Sequence, residues 1–459
     1  MSSFYLTKSQ RESLALINIG SFLEYFDFKT YIHITVILNA LFFPVSDSYS
    51  QSLLAAFSFS MAYILRPLGS FLFGLLGDLW GRKVNIIVTT MMMSIACFVL
   101  ALMPTYAQAG WYVSVAVLVC RAVQGIASGV ELIGAIVYTA ELIKAPRSYF
   151  YTALVGIAAD CGALFALAMC SLMLTLRPDD GWRYVFFLGS AIAVIGSIAR
   201  TKLKESPEFL KAMKKKKTQE LRGEKITVSQ AFQSYKRNIL TYFFIELPIP
   251  LLFYVSFILL NEFLSKNYGY TPTEVIRHNL YLTLCSSSMY LMCSILTRYF
   301  YPFHLLKFMG WSLFLFSMVM PFIIHENSSP MLITVVQILT YSLAIPGIGY
   351  AIYTRGFPVI GRYTVMGTVF SMARVVTAVT TSYGCVFINA YFGLVGIFTL
   401  MAAMMSLHLI GLYYFVPCNE DRAVEKQWKS GVFFGGIEQA SLENQPEEGL
   451  LLKQKTAIQ

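Results

Sequence analysis

The chain has 459 residues, of which 56% are apolar and only 13% charged, with a mean hydropathy of +0.61 and a formal net charge of +10. Soluble domains carry about 25% charge, so a soluble enzyme is excluded and most of the chain belongs in lipid. The positive charge is spread in short clusters between apolar runs rather than on one face, which excludes nucleic acid as a partner.

In chain order, Met1–Arg11 is polar, and the apolar run after it is too long for the core of a cleavable signal peptide. It reads as a first membrane span over 14–40. Crossing a bilayer takes roughly 20 apolar residues, and runs of that kind follow at 51–76, 84–103, 111–139, 149–174, 183–201, 238–261, 277–297, 303–324, 331–354, 364–389 and 391–416. Strand-like alternation is absent, so each is a helix. The polar stretch 202–237, with Lys214, Lys215, Lys216 and Lys217, separates a six-helix bundle (1–201) from a second one (238–416). Its lysines lie along anionic lipid headgroups, or serve only as a solvated charge run that sets topology. The tail 417–459 is polar and reads as disordered; it holds Glu447, Glu448 and a Leu450–Leu452 run of no assigned role. The expected fold class is an all-α membrane protein of twelve transmembrane helices in two pseudo-symmetric bundles, with a site at the midplane.

The chain has 35 lysines and arginines. Only Arg177, Arg183, Lys266 and Arg277 fall outside if the N-terminus is cytoplasmic, and Lys29, Arg66, Arg121 and Arg374 fall within spans. The rest lie on the cytoplasmic side, which puts both termini there. Eight scattered cysteines and five dispersed histidines form no metal or disulfide pattern, and no cofactor is expected.

Residues 74–83 read Gly-Leu-Leu-Gly-Asp-Leu-Trp-Gly-Arg-Lys, in a tight loop between the second and third spans. Gly74, Asp78, Gly81, Arg82 and Lys83 look like a conformational latch. This run resembles the loop signature of the major facilitator superfamily. Glu24-Tyr25-Phe26-Asp27-Phe28, Arg66-Pro67-Leu68-Gly69, Arg121 with Gln124, Gly125, Gly129 and Glu131, Gly181-Trp182-Arg183, and Lys204-Glu205-Ser206-Pro207-Glu208-Phe209 are similar to its metabolite:H+ symporter branch of proline/betaine, citrate, ketoglutarate and shikimate symporters. The resemblance covers 14–210. The equivalent second latch, Thr297-Arg298-Tyr299-Phe300-Tyr301-Pro302, lacks the aspartate and glycine; Arg355, Pro358, Arg362, Tyr363 and Thr364 still fit. The resemblance implies that Asp78 docks at the positive N-terminus of the eleventh span and ties the halves shut inside. Arg82 and Lys83 would then bind acids or lipid phosphates.

Charges inside spans face protein or water. They include Glu24, Asp27, Glu131 and Asp160, with Lys29, Arg121 and Arg374, and His33 can titrate near neutrality. At 3.6 residues per turn, Glu24, Asp27, Phe28 and Tyr31 share one stripe of the first span and Lys29 and His33 lie nearly opposite. Both faces cannot enter one cavity, so one contacts a neighbouring helix, where Lys29 pairs with an acid. In the fourth span Arg121, Gln124, Gly125 and Ser128 share a face, with Glu131 at its edge, either lining a cavity or holding two helices together. Gly125 and Gly129 let a neighbour pack closely. Asp27, Glu131 and Asp160 are the candidate proton sites. Pro346 and Gly347 predict a kink, and a candidate hinge, in the tenth span.

The expected function is proton-coupled uptake of a small organic solute by alternating access, with the proton as coupling ion. Lys29, Arg121, Arg374 and His33 lean the substrate towards a citrate-like carboxylate or carboxylate siderophore. A zwitterion such as proline or betaine is the alternative, and a non-transporting membrane sensor a further one. No catalytic constellation is visible. The expected setting is a monomer in the bacterial inner membrane, touching anionic lipids.

Overall fold

The computed structural model describes residues 6–44, 63–221, 235–325, 328–343 and 346–429. The described residues are almost wholly helical. The helices are α1 (Lys8–His33), α2 (Thr35–Phe42), α3 (Arg66–Trp80), α4 (Arg82–Leu102), α5 (Trp111–Leu142), α6 (Arg147–Leu176) and α7 (Gly181–Arg200). There follow α8 (Pro207–Leu221), α9 (Lys236–Tyr268), α10 (Pro272–Leu296), α11 (Pro302–Ile323), α12 (Pro330–Ser342), α13 (Tyr350–Arg355), α14 (Arg362–Tyr414) and α15 (Asn419–Lys429). Among the described residues, ten helices are long and apolar enough to cross a membrane. Residues 51–62 of the expected second span, 222–234 of the linker and 430–459 of the tail lie outside the described residues.

Local chemistry sets the ends and breaks. Thr7 and Gln10 form a capping box at the start of α1, and Thr271 and Glu274 form another at α10. Gly393, at φ 58°, interrupts α14 and so separates the eleventh span from the twelfth. The tenth span is broken as its sequence predicts: α12 stops, Pro346–Gly349 makes one 3-10 turn, and α13 resumes. The seventh span holds a π-helical turn at Val255–Leu259, which periodicity did not foretell.

Phe308, Phe322, Met331 and Ile95 are exposed on the outside, where water would make them a liability and lipid does not. Polar and charged groups are turned inwards. The sequence halves meet where α3 packs on α14 and α6 packs on α10. Two segments expected to be irregular are in part helical: the linker contains α8, with Lys214, Lys215 and Lys217 exposed, and the tail begins with α15. α15 is ordered because Asp421 and Val424 are buried against the bundle.

Candidate functional site

A cavity of about 100 Å³ lies between α1, α6, α9, α10 and α14. Its charged lining groups are Lys29, Asp160 and Arg374, and its walls are aromatic: Tyr25, Phe28, Tyr63, Phe253, Tyr341 and Tyr350 among them. Arg374 is already neutralised, donating from Nη2 to Glu246 Oε2 at 3.0 Å in a fully buried pair. The Lys29 ammonium sits 3.7 Å from the centroid of the Phe253 ring, 5.3 Å from Phe257 and 5.8 Å from Tyr341. Gly347 of the 3-10 turn borders the same cavity, against Tyr290.

The two polar faces of the first span are real, and they part company. Tyr25, Phe28 and Lys29 turn to the cavity, whereas Glu24, Asp27 and Tyr31 turn into the first bundle. Phe28 thus leaves the stripe on which helical angles placed it. Lys29 rests against rings, and Asp160, an acid near enough to act on its charge, lines the same cavity. Further out, His33 Nδ1 lies 3.3 Å from Asn279 Nδ2. A chain of polar groups continues from there: Asn261 Nδ2 donates to Asn279 Oδ1 (2.8 Å), Gln337 Nε2 to Asn261 Oδ1 (2.9 Å), and His278 Nε2 lies 2.8 Å from Gln337 Oε1.

Inside the first bundle, Asp27 Oδ1 accepts from Cys97 Sγ and Gln124 Nε2, both at 2.8 Å. Arg121 Nη1 donates to Gln124 Oε1 at 2.9 Å, and its guanidinium lies 3.8 Å from the Tyr31 ring centroid. Arg121 and Gln124 therefore hold α5 to α1 and do not line the cavity. Glu131 is bound by Arg200 and by Thr89 Oγ1 (2.9 Å), and Arg200 also donates to Thr90 Oγ1 (2.6 Å) and to the carbonyls of Leu16 and Ile17 (both 3.1 Å). Glu24, Asp27 and Glu131 share a second crevice of about 10 Å³.

The latch has the expected geometry. Asp78 Oδ2 accepts from Thr364 N (2.9 Å) and Oγ1 (2.7 Å) at the start of α14, and Asp78 Oδ1 pairs with Arg82 Nη1 at 3.1 Å. A Cβ on Gly74 would lie 2.8 Å from Thr364 Cα, and Gly81 turns the chain at φ 110°. Arg82 is fully buried; it binds acids, Asp78 and Glu141 (3.3 Å), and does not reach lipid phosphates. Of Lys83, the backbone N–H is engaged, with Glu205 Oε2 at 3.3 Å. Arg362 adds ion pairs to Glu141 (3.4 Å) and Glu208 (3.3 Å).

A second tie stands where the degenerate loop 297–302 lacks one. Asp421 of α15 accepts from Tyr149 OH at 2.8 Å, at the start of α6, and pairs with Arg355 at the end of α13. Arg355 Nη1 also donates to Ser148 Oγ at 2.7 Å, and Glu420 Oε1 accepts from Ala145 N at 3.1 Å.

A family model described as "Sugar (and other) transporter" matches residues 14–240. The proline/betaine transporter of Escherichia coli (strain K12) is 25% identical over 384 residues, 81% of this chain and 76% of that protein. A putative proline/betaine transporter of Staphylococcus aureus (strain COL) is 32% identical over 208 residues, 44% of this chain and 45% of that one. The fold superposes on the proton:xylose symporter XylE with a TM-score of 0.73 at 17% identity, over 92% of this chain and 100% of that one. The human organic anion transporter MFSD10 gives a TM-score of 0.66 at 16% identity, covering 88% and 99%. The fold is that of the major facilitator superfamily, and the sequence is similar to its transporters.

The likeness is to secondary transporters and not to enzymes, and the apolar helices are those of a multi-pass membrane protein. The family motifs of 74–83 account for Asp78, Arg82 and Thr364 but not for the inner pairings. Arg200, Glu246 and Asp421 were missed, and Arg355 entered only as a match to the family pattern. Glu246 had a visible signal, a carboxylate within an apolar run ending Phe-Phe-Ile-Glu-Leu-Pro. Arg200 and Asp421 had none, because each sits at a span end or tail where charge is ordinary.

Proposed function

We propose that the protein is a proton-coupled symporter of a small zwitterionic solute of the proline or betaine kind, worked by alternating access of its two halves, 1–201 and 238–416. The charge balance of the cavity carries this reading. Arg374 is answered by Glu246, which leaves Lys29 for a carboxylate and Asp160 with the aromatic walls for an ammonium. A citrate-like polycarboxylate needs several unspent cations, and among the described residues the cavity presents one, Lys29. The names of the Escherichia coli and Staphylococcus aureus relatives support the same class.

Asp160 is the coupling acid in this reading. Glu131 is held by Arg200 and two threonines, and Asp27 by two donors, so neither faces the solute. A carboxylate that meets the solute in one state and the inside in the next can carry a proton with it. The test is uptake into proteoliposomes under an imposed pH gradient. Radiolabelled glycine betaine or proline is expected to accumulate, and citrate not to compete. Accumulation of citrate with indifference to betaine and proline would reject the reading.

A further inference from the structure

Three rings of the second half form a box around one cation. Phe253 and Phe257 lie near-parallel with centroids 4.9 Å apart, and Tyr341 meets Phe257 edge-on at 4.8 Å and 89°. The cation in the box is not free: it is the ammonium of Lys29, carried on α1 from the other half. Aromatic boxes of this kind are the general receptors for alkylated ammonium groups, because the ring faces are negative and need no hydrogen bond from the cation. Lys29 thus stands where the positive end of a betaine-like solute would bind.

We infer that the Lys29 ammonium is a tethered occupant of the box Phe253–Phe257–Tyr341, and that it makes a carboxylate on the solute a condition of binding. The inference rests on the zwitterion reading and adds how the site discriminates. A solute ammonium entering the box displaces Lys29 into the adjoining cavity, whose one acidic lining group among the described residues is Asp160. If the solute brings its own carboxylate, that group takes the displaced Lys29 and the cavity stays neutral. If the solute is a bare cation such as choline, two positive charges face one carboxylate in a small, mostly aromatic cavity. Rejection of choline is then built from repulsion rather than from a missing contact. The geometry also ties the two halves together: Lys29 of α1 is released from α9 and α12 only when a suitable solute replaces it.

The test uses the full-length protein in nanodiscs, with glycine betaine, proline and choline as probes in equilibrium binding. The native protein is expected to prefer glycine betaine, and Lys29→Met to cut the betaine-to-choline preference by at least about tenfold, chiefly by gaining choline. Lys29→Arg keeps the charge and should keep the preference. A Lys29→Met protein with an unchanged preference overturns the inference while leaving the zwitterion reading intact. A native protein that binds neither glycine betaine nor proline rejects that reading itself, and the inference with it. Should Lys29→Met fail to reach the membrane, Lys29→Gln, neutral and still polar, carries the same comparison with the same two outcomes.

Discussion

Asp421 and Arg355 are joined by two hydrogen bonds, Nη2 to Oδ1 at 2.6 Å and Nε to Oδ2 at 3.2 Å, and through Asp421 the tail helix also holds Tyr149. Arg355 ends the tenth span and Tyr149 opens the fifth, so one carboxylate bridges the two halves. Asp78 does the same on the other side of the pseudo-symmetry, at the start of α14. The tail thus supplies a carboxylate that joins the halves, whereas loop 297–302 has no acid.

Weakening the tail tie should open the inside. Hydrogen bonds to charged groups contribute about 1.5–3 kcal/mol each, so Asp421→Asn should shift the balance away from the inside-closed state by about tenfold or more. Cys418 reports it, since its thiol donates to Asp421 Oδ2 at 3.1 Å and is pushed up by burial and by that carboxylate. A raised thiol has less thiolate at a given pH, so maleimide labelling at pH 7.5 is slow and quickens as pH rises. Asp421→Asn should label faster, with Cys418→Ser as the blank. Equal rates would remove Asp421 from the closure.

At the Asp78–Thr364 contact, Asp78→Asn is expected to lower uptake without lowering membrane abundance, because Thr364 keeps a neutral acceptor while Arg82 keeps only its ion pair to Glu141. Gly74→Val should lower uptake further, since its side chain would press on the Thr364 backbone. Uptake at native levels in both variants would show that this contact does not gate transport.

The acids should separate by assay. Replacing Arg200 by Met leaves Glu131 as a buried charge without its cation, a change that costs about 3–5 kcal/mol. The expected result is a lower melting temperature and less protein in the membrane. Asp160→Asn faces the cavity instead, and should keep abundance and counterflow exchange while losing accumulation driven by a pH gradient. If Asp160→Asn still concentrates solute, the proton travels by another group.

Crowding at the α3–α5 contact gives a packing prediction. A Cβ on Gly129 would meet the Arg66 carbonyl at 2.5 Å, and Ser70 Oγ donates to the Gly129 carbonyl at 2.6 Å. Gly129→Val should destabilise by about 1–3 kcal/mol, as overpacking does, read as a fall in melting temperature.

The apolar spans and the contact of Asp78 with the start of α14 were legible because each depends on neighbours in the chain. Hydropathy over a helix length and a ten-residue motif are both local. Even the two polar faces of the first span followed from helical angle. Which face met the cavity did not, since angle alone does not say what stands opposite. Phe28 and Lys29 found the cavity; Asp27 and Tyr31, equally polar on paper, found α5.

The amino-acid order by itself determined a helical membrane protein with a charged hairpin at 74–83 and a broken tenth span. The folded chain alone decided which ions are spent on one another. Glu131 lies 69 residues from Arg200, Glu246 lies 128 from Arg374, and Tyr149 lies 272 from Asp421. A charge removed from water responds to whatever is within a few ångströms in space, and no local period records that.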